Sequence, residues 1–152
     1  MNKKYIIILI LIILIAVGLF YFYGVHGNSN KSKIGSSTIT IPEGFHVVKN
    51  TSGGVELSNG TKVLVVKELS KYKNLNEMLT VYNKSHENET VITNEISQGD
   101  IPSAKTSLTI GSTNYINYWY VKNGTCYSVH TTNELADTQK VVNKIISSTR
   151  KK

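Results

Sequence analysis

Apolar and aromatic residues dominate positions 5 to 23, where no charge intervenes and where seven Ile and four Leu fall; no later segment has this pattern. A helix of that length spans about 28 Å, close to the roughly 30 Å hydrocarbon thickness of a bilayer. Residues 5–24 are therefore predicted to be a transmembrane anchor. Lys3 and Lys4 precede it and the next basic residue is Lys31, so the positive-inside rule keeps residues 1–4 cytoplasmic and sends the rest of the chain outward. Phe20, Tyr21, Phe22 and Tyr23 form an aromatic collar at the outer interface. The rival reading is a cleaved signal peptide ending near Val25-His26-Gly27, but the apolar core of such a peptide is normally about 7–15 residues. No cysteine stands just after the span, so a lipid-anchored lipoprotein is not expected. Residues 25–37, rich in Gly, Ser, Asn and Lys, have the composition of a flexible linker.

Beyond the linker the pattern changes to short β-rich runs and two helical stripes. Two Asn-Gly pairs lie between β-rich runs, the strongest short-range signal for a hairpin, because a type I′ turn needs φ > 0 at both central residues. Asn59-Gly60 would join residues 55–58 to 61–69, and Asn123-Gly124 would join 115–122 to 125–132. A two-residue loop at the second pair places Lys122 opposite Thr125, Tyr120 opposite Tyr127 and Tyr118 opposite Val129. One face then carries Ile116, Tyr118, Tyr120, Tyr127 and Val129, and the other carries Trp119, Val121 and Cys126. Both faces must be partly covered, as in a mostly antiparallel sheet with helices packed on it. Further strands are predicted at 38–41, 91–96 and 105–110, the last two separated by a turn at Gly99, Asp100 and Pro102. Leu75, Met78, Leu79 and Tyr82 mark a helix with Asn74 as N-cap and Glu77 three residues on. Val141, Val142, Ile145 and Ile146 mark another. Thr131 and Glu134 have capping-box spacing before it, and Arg150, Lys151 and Lys152 suit its negative end. The expected class is α+β, with the outer domain over residues 38–150 and no internal repeat.

The opening ITIPEGFHVV, the hairpin leading into KVLVVKEL, the helix NLNEMLTVYNK and the closing YWYVKNGTCYSVHTTNELADTQKVVNKIISS together resemble the PsbP-like fold. That superfamily includes the photosystem subunit PsbP, the Ran-binding Mog proteins and many exported bacterial and archaeal domains. The resemblance covers residues 36–149 and rests on element order, an IP-x-G-F start and an aromatic final hairpin. It implies a mostly antiparallel sheet with packed helices and a non-enzymatic binding or adaptor role. It carries over no catalytic motif and no partner-binding residue.

Composition narrows the chemistry. About 125 residues lie outside the span, enough for one domain. A single cysteine closes no intramolecular disulfide and makes no paired-thiol redox motif or multi-cysteine zinc site. Cys126, His130 and Asn117 look superficially like a cysteine-nucleophile set, but along one strand Cys126 and His130 would be about 13 Å apart, far beyond nucleophile-to-base reach. His26, His46, His86 and His130 are too widely spaced to show a metal site in the sequence. No Gly-rich phosphate loop occurs, and no cofactor is implied. Without Lys3 and Lys4, 15 basic residues face 10 acidic ones, a net +5 on the outer part. These charges are scattered and include one Arg, which fits nucleic acid poorly. They suit solubility, or a tethered domain near anionic headgroups or acidic wall polymer.

Six N-x-Ser/Thr triplets, at Asn30, Asn50, Asn59, Asn83, Asn88 and Asn123, are usable glycosylation acceptors in an exported chain. Tyr115, Tyr118, Trp119, Tyr120 and Tyr127 cluster in the last hairpin. Core packing explains one face of that cluster; a ring on the other could stack on a sugar or a partner protein. The expected function is a single-pass, membrane-anchored, extracytoplasmic binding or adaptor domain whose partner is an envelope protein or a cell-surface polymer. The alternatives are an envelope-acting hydrolase built on Glu43, Glu56, Glu95 or His130, and a glycan-bearing structural surface protein.

Overall fold

The computed structural model describes residues 14–15, 30–96 and 98–152. The predicted cytoplasmic tail, and all of the predicted anchor but Leu14 and Ile15, lie outside the described residues. Among those described, no helix is long and apolar enough to cross a membrane. The chain divides into two compact units, and the second, Ser32–Lys152, contains nearly everything that follows.

From Lys31 to Lys151 the described residues form ten strands and two helices. They run in the order β1 (Lys31–Ile34), β2 (Ser37–Thr40), β3 (His46–Thr51), β4 (Gly54–Ser58), β5 (Val63–Glu68), α1 (Leu75–Ser85), β6 (Val91–Glu95), β7 (Ser103–Ile110), β8 (Thr113–Lys122), β9 (Thr125–Thr132), α2 (Thr138–Ser148) and β10 (Arg150–Lys151). Seven strands form one sheet in the order β3-β4-β5-β9-β8-β7-β6, and β1-β2-β10 form a small second sheet. Every neighbouring pair in the large sheet is antiparallel. The protein is therefore α+β, with a mostly antiparallel framework and helices on it.

The β8–β9 hairpin has the register expected from its Asn-Gly pair. Lys122 faces Thr125, Tyr120 faces Tyr127 and Tyr118 faces Val129, while Asn123 and Gly124 both take positive φ, 52° and 72°. The first Asn-Gly pair behaves differently. Ser58 faces Val63, so four residues, Asn59 to Lys62, form the loop and β5 begins two residues later than predicted. Asn59 Oδ1 accepts from the Thr61 and Lys62 backbone N–H groups at 3.0 and 2.7 Å. This local Asx-type bonding satisfies the loop from within, and only Gly60 needs positive φ there.

Alternation along the strands gives the large sheet two unlike faces. Val55, Leu57, Leu64, Val66, Ile116, Tyr118, Tyr120, Tyr127 and Val129 form one main core with Val142, Ile145 and Ile146 of α2 and with Ile34 and Ile39 of the small sheet. On the reverse face, α1 lays Met78 against Trp119 and Cys126, with Leu69, Leu75, Leu79, Tyr82 and Val121 around them. One helix per face accounts for the apolar residues at both sets of alternate positions. The N-cap of α1 is as predicted, Asn74 Oδ1 accepting from Glu77 N–H at 2.8 Å, and Glu77 in turn accepts from Lys73 N–H.

Two expectations are corrected. Residues 31–37, assigned to a flexible linker, include β1 and the start of β2, with Ile34 fully buried. The polar Lys-Ser alternation reads as tether only when the apolar partner beneath Ile34 is unknown. The β1–β2 turn is clamped by Glu68, whose carboxylate accepts from Ser36 N–H and from the Ser36 and Ser37 hydroxyls. Because the single Ser37 hydroxyl proton goes to Glu68, Tyr127 OH donates to Ser37 Oγ at 2.6 Å. The second correction concerns the start of α2, where Thr131 and Glu134 form no capping box. Thr131 lies in β9 and donates to the Val63 carbonyl, and Glu134 is taken by Tyr118 OH and Lys105 Nζ. Asp137 stands at the N-cap without a side-chain bond, and Thr138 Oγ1 accepts from Leu135 N–H instead. At the other end, Lys122 Nζ donates to the Ile146 and Ser147 carbonyls, and the Arg150 guanidinium also reaches Ser147 O.

Candidate functional site

Because α1 covers only one end of its sheet face, the remainder is partly reached by solvent: Thr93 is exposed and Glu56, Val65 and His130 are half-buried, while Thr106, Asn117 and Ser128 lie buried between them. Register places a row of side chains across it: Thr93 on β6, Thr106 on β7, Asn117 on β8, His130 on β9, Val65 on β5 and Glu56 on β4. The next row toward α1 contains Trp119, Ser128 and Lys67. Between these rows and the β5–α1 connection lies a groove of about 380 Å³, lined by Asn117, Ser128, His130, Trp119, Tyr72 and two lysines, Lys67 and Lys71, with Val65 and Leu69 as its apolar floor. That volume lies within the ordinary range for small-ligand sites.

The polar groups are held in place from within the sheet. His130 Nδ1 is 3.0 Å from Asn117 Oδ1, and the ring stacks on Tyr115 with centroids 6.3 Å apart. An amide oxygen only accepts, so His130 carries its proton on Nδ1 and leaves Nε2 as an acceptor. Burial, and then the Lys67 ammonium, hold this imidazole below its ordinary range, while a backbone hydrogen bond at Ile116 opposes them. Trp119 is only 8% exposed; Nε1 donates to Thr106 Oγ1 at 2.9 Å and its ring packs at 5.1 Å on Tyr82 of α1. Lys71 Nζ sits 4.9 Å from the Tyr72 ring centroid. Lys105–Glu134 and His86–Glu89 are the ion pairs among the described residues, so neither groove lysine is neutralised by a carboxylate there.

A neutral folded-state His130 has a consequence for stability. The unfolded chain takes up the proton near pH 6.5 and the folded chain only at lower pH, so stability is complete above about pH 6.5 and is lost as pH falls toward the folded value. Urea midpoints measured between pH 7.5 and 5.5 are expected to fall more steeply for the native chain than for His130→Asn. Equal slopes would remove this assignment.

The five aromatics singled out as candidate binding residues, with one face of the cluster expected to pack the core, divide sharply. Tyr118, Tyr120 and Tyr127 are fully buried in the main core, a correction that follows from α2 and β1–β2 closing over that face. Burial, the hydrogen bond to Glu134 and its charge raise the Tyr118 phenol far above its usual range. Burial likewise raises Tyr120, although its bond to Thr149 works the other way. Trp119 reaches the groove and Tyr115 supports it through His130. Cys126 is free and buried under α1, its thiol raised by burial and by nearby Glu77; it is a packing residue, away from the open row that holds His130. All six acceptor asparagines, Asn30, Asn50, Asn59, Asn83, Asn88 and Asn123, are exposed, and none lines the groove. Among the described residues no group of three or more His, Cys, Asp or Glu could hold a metal ion.

Sequence reasoning missed Lys67, Lys71, Tyr72 and Ser128. The β5–β9 pairing that sets Lys67 against Ser128 and Val65 against His130 joins segments more than 60 residues apart, and no turn signal specifies it. A larger, shallower depression of about 580 Å³ lies on the α2 side, bordered by Lys140, Lys144, Glu43, Asn143 and Gln98. It contains no aromatic side chain and no histidine. No family model matches this chain, and no curated protein is similar to it.

Proposed function

We propose that this chain is an extracytoplasmic binding module, held at the cell surface by an N-terminal anchor over residues 5–24, and that the groove beside α1 is where it meets its partner. The carrying observation is the groove itself: a concave strip that combines aromatic rings with amide, hydroxyl and imidazole groups and two lysines that no carboxylate among the described residues neutralises. Of the two partner classes, a cell-surface polymer suits it better than a folded envelope protein. Stable protein interfaces bury about 1,600 Å² in total, whereas this site is a single groove of about 380 Å³. The resemblance to the PsbP-like superfamily supports the same non-catalytic reading. A hydrolase built on His130 and Glu56 acting together would need the two to converge on one reacting group, and Glu56 stands two strands away, roughly 10 Å at normal strand spacing.

Trp119 is the only tryptophan in the chain and lines the groove, so its fluorescence reports occupancy directly. Titrating the full-length chain with a panel of neutral and acidic oligosaccharides is expected to give a saturable change with at least one of them, weakened by Tyr72→Ala. No saturable response to any, together with a C-terminal part that resists protease added to intact cells, would overturn the reading.

A further inference from the structure

We infer that the groove selects an acidic sugar unit, a carboxylate-bearing hexose, over a neutral one; this rests on the polymer-binding reading above. Its lining contains two cations and no carboxylate. Lys67 is exposed at the end of β5 and Lys71 is exposed just past it, so both ammonium groups stand on one rim without an ion-pair partner among the described residues. The nearest acid on the open row, Glu56, lies beyond Val65 and faces Lys49 across β3. Burial is the main cause of the lowered proton affinity of His130, and the Lys67 ammonium adds to it, which places that charge close to the imidazole. Beside Lys67 on the neighbouring strands, the largely buried Asn117 and Ser128 and the half-buried His130, through Nε2, offer both donors and acceptors, which matches sugar hydroxyls, and Tyr72 adds an aromatic ring to the lining. A carboxylate on that ring would form charge-assisted bonds to Lys67 and Lys71, which are shorter and stronger than neutral ones. Lys71 Nζ lies over the Tyr72 ring, so a pyranose ring would stack there only as the ammonium swings aside to meet its carboxylate. An anionic phospholipid headgroup shares the charge but lacks a ring hydroxyl pattern for the amide, hydroxyl and imidazole groups to read.

The test compares trigalacturonate with neutral galactotriose, using Trp119 fluorescence of the full-length chain in detergent. At low salt the acidic trimer is expected to bind about tenfold more tightly, a preference that shrinks several-fold near 0.5 M salt as screening shortens the reach of charge. In Lys67→Gln/Lys71→Gln the ratio should collapse to about twofold or less, whereas Lys140→Gln/Lys144→Gln, which removes the same charge from the α2 side, should keep it. Equal affinity of the two sugars would overturn acid selectivity while leaving the binding module intact. An equal loss in both double variants would show that net charge alone is at work and would overturn the assignment to this groove. Vesicles of anionic phospholipid that saturate the Trp119 signal as effectively as trigalacturonate would make a headgroup the occupant. Failure of both sugars would instead strike the polymer reading itself.

Discussion

Ile145→Ala is expected to lower the unfolding free energy of the Ser32–Lys152 unit by about 3 kcal/mol, within the 2–5 kcal/mol typical of a fully buried Ile truncated to Ala. Ile145 is completely buried between α2 and the sheet, and a domain of this size has only about 5–15 kcal/mol in hand. The variant isolates packing because the backbone at this position keeps its hydrogen bonds. The Ile145 carbonyl accepts from the Thr149 N–H and hydroxyl, and Tyr120 OH, 2.8 Å from Thr149 Oγ1, donates to that oxygen. Urea denaturation followed by Trp119 fluorescence measures the change. Because Trp119 lies on the opposite face of the sheet, a single transition seen from it would also show that the two faces unfold together. A loss below about 1 kcal/mol would mean that α2 is not the main cover of this core.

The second large effect comes from a glycine. A Cβ at Gly54 would overlap the Val66 carbonyl oxygen and stand 2.9 Å from Lys67 Cγ and 3.3 Å from Lys67 Cα, and most of that crowding is with backbone that belongs to the sheet. Gly54 faces Lys67 on β5 and Thr51 on β3, so relief requires the strands to part. Gly54→Ala should therefore cost at least about 2 kcal/mol, in the range of an overpacked core. Since the displaced strand carries Lys67, the variant should also weaken the binding proposed for the groove. Native-like stability by thermal melting would show that β4 can yield at this point, contrary to the close approach described.

How far the fold was legible depends on whether a signal was local. The β8–β9 hairpin was readable to the residue because Asn123 and Gly124 tolerate left-handed backbone, and one two-residue turn then sets eight pairings. The α1 cap and both helical stripes were equally local. Asn59-Gly60 misled because the same Asn can cap a four-residue loop with its side chain, an option that the dipeptide does not reveal. β3 went unnoticed because its positions are mostly exposed and it lies at the sheet edge, where little apolar patterning is required.

The candidate site was less accessible still. His130, Asn117 and Trp119 stand out in the sequence for their chemistry, yet the cysteine that shares a strand with the histidine belongs under α1, three of the five clustered aromatic rings belong to the main core, and Trp119 itself packs partly under α1. Residue order along the chain specifies turns, helix stripes and which side of a strand each side chain takes, because those depend on bonds a few residues apart. Which strand lies beside β9, how much of the sheet a short helix covers, and hence which polar residues share the uncovered strip, depend on contacts between distant segments whose energies are felt only once the core has closed.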